Sequence, residues 1–97
     1  MPKAGMKATP EQVAELLKGL ANPTRLRIVD LLSKHRELSA GAIQERIEVS
    51  QSLTSHNLTK MTDKGILIRT SWSTENYYSL SDPLFAELLT LVLKTRR

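Results

Sequence analysis

Apolar residues recur at helical spacing in most of this chain, and in one stretch the pattern changes to that of strands. Val13, Leu16, Leu17 and Leu20 fall at i, i+3, i+4 and i+7, so one side of a first helix is apolar and expected to be buried. Thr9-Pro10-Glu11-Gln12 precedes them with an N-cap residue, a proline at the first helical position and a glutamine at the third. This predicts a helix from Pro10 to Leu20. Asn22-Pro23 repeats the device and opens a second helix, Pro23 to Lys34, whose Leu26, Ile28, Val29, Leu31 and Leu32 cover more than one stripe. A helix apolar on so many sides belongs at the centre of a domain. Arg25 and Arg27 stand near its start, where positive charge opposes the helix dipole, and a carboxylate is the expected partner. Ser39 can cap a third helix, Ala40 to Ile47, that turns Ile43 and Ile47 inward.

Glu48-Val49 is a short link into a fourth helix, which Ser50 caps and Gly65 ends in a left-handed turn. At about 100° per residue, Gln51, Ser52, Ser55, His56, Thr59 and Thr62 share one face, with Leu53, Leu58 and Met61 opposite. Exposed helix faces are usually lined with Lys and Glu. Short hydrogen-bonding side chains with little charge suit close approach to another polar surface, such as base edges in a DNA major groove. Two short helices joined by so brief a turn make a helix-turn-helix. Glu48 occupies a place where glycine is common, so either it accepts an awkward backbone angle or the turn takes another form.

After Gly65, Ile66 to Arg69 and Asn76 to Leu80 are rich in branched and aromatic residues, and Thr70 to Glu75 separate them. A hairpin in this place is the wing of a winged helix, whose tip can lie along phosphates or the minor groove. Arg69 and the Ser and Thr residues supply donors there. Trp72 is expected to shelter against the domain, since a tip tryptophan needs apolar cover. Asp82-Pro83 restarts helix, and Leu84 to Lys94 carries Leu84, Phe85, Leu88, Leu89, Leu91, Val92 and Leu93. A small core cannot cover that much aliphatic surface. The last helix is therefore expected to pair with the first, and with the same helices of a second subunit, through Val13, Leu16, Leu17, Leu84, Phe85, Leu88, Leu89 and Val92. The fold class that follows is mainly α with a small β-hairpin, about five helices and a two-stranded wing.

Composition narrows the function. The chain has 97 residues, 40% hydrophobic and 25% charged, which fits one ordinary globular domain over 9–97 behind a loose basic arm at 1–8. Its net charge of +4 is compatible with nucleic acid. Cysteine is absent, which removes thiolate metal sites, cysteine nucleophiles and thiol switches together. No apolar run reaches the roughly 18 residues of a membrane span, and Met1 to Thr9 is too polar for a signal peptide, so a cytoplasmic protein is expected. Neither a glycine-rich phosphate loop nor partners for a catalytic triad are visible, and no enzyme activity or cofactor is expected.

Leu20-Ala21-Asn22-Pro23-Thr24-Arg25-Leu26-Arg27-Ile28-Val29-Asp30-Leu31-Leu32, Val49-Ser50-Gln51-Ser52-Leu53-Thr54-Ser55-His56-Asn57-Leu58, Lys64-Gly65-Ile66-Leu67 and Tyr77-Tyr78-Ser79-Leu80 together carry a likeness. Over about residues 10 to 95 the chain resembles the ArsR/SmtB family of winged-helix repressors. The resemblance implies a homodimer, built on the first and last helices, that binds a roughly palindromic double-stranded operator. It also carries over Ser50, Gln51, Ser52, Ser55 and His56 as DNA-contacting positions. The face drawn from periodicity adds Thr59, and Lys60 and Lys64 are added as phosphate contacts. Asn57 replaces what is often a second histidine, and Thr70, Ser71, Ser73 and Thr74 stand where the family often has a basic, glycine-containing wing.

The family's metal sites do not carry over. Its helix-three cysteines fall at Ala42-Ile43-Gln44-Glu45-Arg46, and of its last-helix Asp-x-His only Asp82 remains, better read as a cap. The expectation is a dimeric, sequence-specific DNA-binding regulator, a repressor in kind, with no metal site and no named effector. The alternative is a winged-helix protein-interaction module that has lost specific DNA binding, kept open by the weakly basic wing.

Overall fold

Side-chain caps decide where the helices begin. Thr9 Oγ1 accepts from the Gln12 backbone N–H at 3.1 Å while Gln12 Oε1 accepts from that of Thr9 at 2.9 Å, a reciprocal box that opens α1 (Pro10–Leu20). Asn22 Oδ1 takes the Arg25 N–H at 2.8 Å and opens α2 (Pro23–Lys34). Ser39 and Ser50 cap α3 (Ala40–Ile47) and α4 (Gln51–Asp63), and Asp82 Oδ1 accepts the Leu84 N–H at 2.8 Å ahead of α5 (Leu84–Thr95). Each such cap contributes about 1 kcal/mol. This computed structural model describes residues 8–95, so the expected arm lies outside the described residues except for Ala8.

The sheet has three strands rather than two. β2 (Leu67–Trp72) and β3 (Glu75–Leu80) form the expected hairpin, and β1 (Leu38–Ser39), in the link before α3, pairs antiparallel with Tyr78 and Tyr77 on the other side of β3. The hairpin is also longer than its apolar runs suggest. Thr70, Ser71 and Trp72 pair with Tyr77, Asn76 and Glu75, leaving a two-residue turn at Ser73-Thr74.

α2 is the centre of the domain, with Ile28, Val29 and Leu32 buried among Ile43, Leu58 and Met61. The apolar side of α1 is not covered by its own chain as expected: Leu20 is buried and Leu16 half-buried, but Val13 and Leu17 are 42% and 51% exposed. α5 lies chiefly on α2 rather than on α1. Its Phe85 enters the core at 3% exposure, Leu88 and Leu89 are half-buried, and Leu84, Leu91, Val92 and Leu93 face outward. An open apolar groove of about 190 Å³ runs between α1, α2 and α5, with Leu17, Leu26 and Val92 among its lining residues. No helix among the described residues is long and apolar enough to cross a membrane.

Candidate nucleic-acid interface

α3 reaches α4 through a left-handed residue. Glu48 has φ 57° and ψ 44°, and its N–H donates to the Gln44 carbonyl at 3.0 Å to close α3. The awkward angle weighed from the sequence is therefore the one adopted. At the far end of α4 the Ile66 N–H donates to the Met61 carbonyl at 2.9 Å and the Gly65 N–H to that of Thr62 at 3.0 Å. With Gly65 at φ 79° this is a Schellman stop, and it turns the chain directly into the wing.

Between these ends Gln51, Ser52, Ser55, His56, Thr59 and Lys60 are all exposed, together with the capping Ser50. One expected member of the face, Thr62, and one expected phosphate contact, Lys64, are engaged elsewhere. Thr62 is half-buried with its hydroxyl donating to the Leu58 carbonyl at 2.7 Å. Lys64 reaches back to α1, where its Nζ meets Glu15 Oε2 at 3.0 Å. The Lys64 ammonium, then that of Lys18, holds the Glu15 carboxyl below its ordinary range. On the opposite side Leu58 and Met61 are buried, but Leu53 is exposed.

The buried side of α4 also contains polar groups that the face assignment missed. Thr54 and Asn57 are each 2% exposed. Thr54 Oγ1 donates to the Ser50 carbonyl at 2.9 Å, and Asn57 Nδ2 to that of Leu53 at 3.0 Å. Asn57 Oδ1 accepts from Arg25 Nε at 2.9 Å, and Arg25 Nη1 donates to the Lys18 carbonyl at 3.3 Å. Arg25 is thus matched by an amide and a carbonyl, not by the expected carboxylate. The signal was present: Asn57 lies four residues from both Leu53 and Met61, inside the apolar stripe.

In the wing, Arg69 is exposed and shares a sheet face with Ser71, whose Oγ donates to Asn76 Oδ1 at 2.7 Å. Ser73 has φ 58°, a positive angle at the first turn residue as in a type II′ hairpin. Trp72 is not sheltered; it is 73% exposed. The small domain offers nothing at the tip to cover an indole that the antiparallel pairing carries away from the core. Of the two histidines, His35 ends α2 with its Nε2 accepting from Arg46 Nη1 at 2.9 Å, and His56 sits on the exposed face. Among the described residues no three histidine or carboxylate side chains converge on one point.

A family model for a helix-turn-helix domain matches residues 20–70. The transcriptional repressor PagR of Bacillus anthracis is 39% identical over 82 residues, 84% of this chain and 82% of that protein. Its crystal structure superposes with a TM-score of 0.76, covering 84% of this chain and 93% of that one. HlyU from Vibrio cholerae superposes at 0.80 with 29% identity over 92% of this chain and 96% of its own. A homodimeric winged helix-turn-helix DNA-binding domain from Mycobacterium bovis, described as a possible ArsR-family transcriptional regulator, does so at 0.75 with 29% identity over 91% and 87%.

Proposed function

The chain belongs to the ArsR-type winged helix-turn-helix transcriptional regulators, and from that premise we propose that it is a cytoplasmic homodimeric repressor whose α4 reads a palindromic operator in the major groove. The observation that carries this reading is the face of α4. Gln51, Ser52, Ser55, His56 and Thr59 stand exposed without an arginine or carboxylate among them, on a helix held at both ends by a cap and a Schellman stop. Such side chains discriminate bases by hydrogen bonds to their edges. Lys60 and, on the wing, Arg69 supply charge for phosphates. The uncovered Val13 and Leu17 of α1, with Leu84 and Val92 of α5, fit a second copy; Phe85 supports that face from beneath. A two-fold axis there would put the two α4 helices in successive major grooves, about 34 Å apart.

Fluorescence-anisotropy titration tests the proposal. The probes are a duplex enriched by the wild-type protein from a randomised library and an unselected duplex, each at several salt concentrations. Preference for the enriched duplex with a steep salt slope is expected; equal binding at moderate salt would sink the repressor reading and leave the protein-interaction module in its place. Gln51→Ala and Ser55→Ala should weaken enriched-duplex binding far more than unselected binding. Lys60→Ala should weaken both.

A further inference from the structure

Three separate contacts join α4 and its outgoing turn to α1 and α2. First, the Arg25 guanidinium spans two elements, giving Nε to Asn57 Oδ1 on α4 at 2.9 Å and Nη1 to the Lys18 carbonyl in the last turn of α1 at 3.3 Å. Its own backbone N–H is fixed by Asn22 at 2.8 Å, so the base of the side chain is also held. Second, Lys64 at the end of α4 bonds Glu15 in the middle of α1 at 3.0 Å. Third, Gly19 of α1 lies so close to the turn after α4 that a Cβ there would stand 2.5 Å from Ile66 Cδ1 and 2.9 Å from Lys64 Cδ. α1 is also the helix whose Val13 and Leu17 are left uncovered.

Resting on the function proposed above, we infer that Arg25 and Asn57 are positioning residues: their guanidinium–amide bridge ties the height and rotation of the reading helix to α1, and so to the dimer axis. The Asn57 side chain has no route to DNA, being buried on the side of α4 away from Gln51 and Ser55. Both polar atoms of its amide are partnered inside the domain, Nδ2 by the Leu53 carbonyl and Oδ1 by Arg25. An apolar residue of similar size would fill the same space and needs no partner, so core filling alone does not call for an amide here. What the amide adds is direction. A hydrogen bond from a planar guanidinium holds in a narrow range of distance and angle, whereas leucine packed on leucine tolerates rotation and sliding. Lys64–Glu15 and the Gly19 contact hold the C-terminal end of the helix, and the bridge, at the midpoint of α4, is the next restraint toward the end that carries Gln51 and Ser55.

The consequence is a restraint on spacing. With the bridge intact, the two reading faces of a dimer hold one separation and one angle, and the operator must match it. With the bridge cut, each α4 can rock about its pinned end, and duplexes whose half-sites are moved closer or farther apart by a base pair become better tolerated.

The experiment uses Asn57→Leu, Arg25→Gln and the double variant of the full chain. The probes are the wild-type-enriched duplex, versions with one base pair inserted or deleted between the half-sites, and an unselected duplex. Asn57→Leu, which leaves Arg25 Nε without its acceptor, should lower the melting temperature but keep the wild-type dimer mass, unselected-duplex affinity and salt slope at a temperature where it is fully folded. It should lose about tenfold in affinity for the enriched duplex, the coupling expected within one hydrogen-bonded network. Its spacing preference should flatten, and the double variant should be no worse than the single ones. Wild-type affinity and spacing preference in a folded Asn57→Leu protein would overturn the inference, as would single losses that add in full in the double variant. If Asn57→Leu does not fold, Arg25→Gln, at a half-buried position, decides by the same spacing profile. Failure of the functional proposal is seen separately, as a wild-type protein that does not discriminate the enriched duplex at all.

Discussion

Glu48 offers the sharpest test of the helix-turn-helix geometry, because the structure puts a side-chained residue where only glycine is at ease. At φ 57° and ψ 44° the Cβ crowds the neighbouring carbonyl, a cost of about 1–2 kcal/mol for an L-residue. Glu48→Gly removes that cost, but glycine gives back about 0.5–1 kcal/mol through the freedom it has when unfolded. The net gain should be about 1 kcal/mol, or about 4–8 °C in the melting temperature of a domain of this size. A second effect must be separated from the first. The Glu48 carboxylate sits at the C-terminus of α3, where negative charge is itself unfavourable by about 0.3–1 kcal/mol when exposed. Glu48→Gln removes the charge and keeps the strain, so the difference between the Gly and Gln variants isolates the backbone. Thermal and urea unfolding at one fixed protomer concentration measures both, since a dimer's midpoint moves with concentration. The reasoning fails if Glu48→Gln gains as much as Glu48→Gly, or if the glycine variant is no more stable than wild type.

Gly19→Ala should destabilise by about 1–2 kcal/mol in the same assays, since the overlap with the fully buried Ile66 outweighs alanine's better helix propensity. An unchanged midpoint would mean that the seam between α1 and the turn after α4 is looser than it looks. Leu17→Glu combined with Val92→Glu should convert the dimer to a monomer of 10.9 kDa in sedimentation at micromolar concentration, and persistence of the dimer would move the interface elsewhere. Glu15, its carboxyl pKa lowered by Lys64 and then Lys18, stabilises the fold above its ordinary value of 4.5 and loses that contribution as pH falls through the lowered one. The stability difference between wild type and Glu15→Gln should therefore shrink toward zero in acid urea titrations, and a difference that grows there would contradict the sign. Trp72 is the sole tryptophan, so its emission reports on the wing tip alone. Emission that changes on saturation with the enriched duplex is the expected result, and an unchanged spectrum would place the tip away from DNA.

Local chemistry made most of the fold legible. Thr9-Pro10, Asn22-Pro23, Ser39 and Ser50 mark helix starts because each cap acts within three residues of itself, and the structure begins α1 to α4 at those places. What was not legible depends on partners far along the chain. β1 is two residues whose identity as a strand comes only from Tyr77 and Tyr78. The match of Arg25 with Asn57 crosses 32 positions, and nothing local to α2 distinguishes an amide partner from a carboxylate. Leu53 shows the limit of periodicity from the other direction: it belongs to the apolar side of α4 by angle, yet lies near the end where the domain stops covering that side. The expectation of a shelter for Trp72 rests on indoles usually having one. The hairpin simply extends farther than its apolar residues do.

The misses at Leu53, Thr54 and Asn57 fall together on α4, and there is a physical reason for that. A helix that must present a polar face outward has only a narrow stripe left for burial, and here its fully buried apolar side chains are Leu58 and Met61. Two such contacts hold a helix against the core but define its rotation and height poorly. Sliding by one residue moves a side chain by about 1.5 Å and turns it by about 100°. A third of that slide, about 0.5 Å, already spans the useful range of hydrogen-bond distances, about 2.7–3.2 Å. Reading base edges with serine and glutamine therefore demands more precise placement than two apolar side chains can supply. Of the polar groups on the buried side, Asn57 supplies the missing direction through its bond with Arg25 of α2, while Thr54, bonded to the Ser50 carbonyl, stays within α4. Both reduce the apparent amphipathicity of α4, so the residue that would orient it for reading DNA is one that a search for apolar stripes passes over.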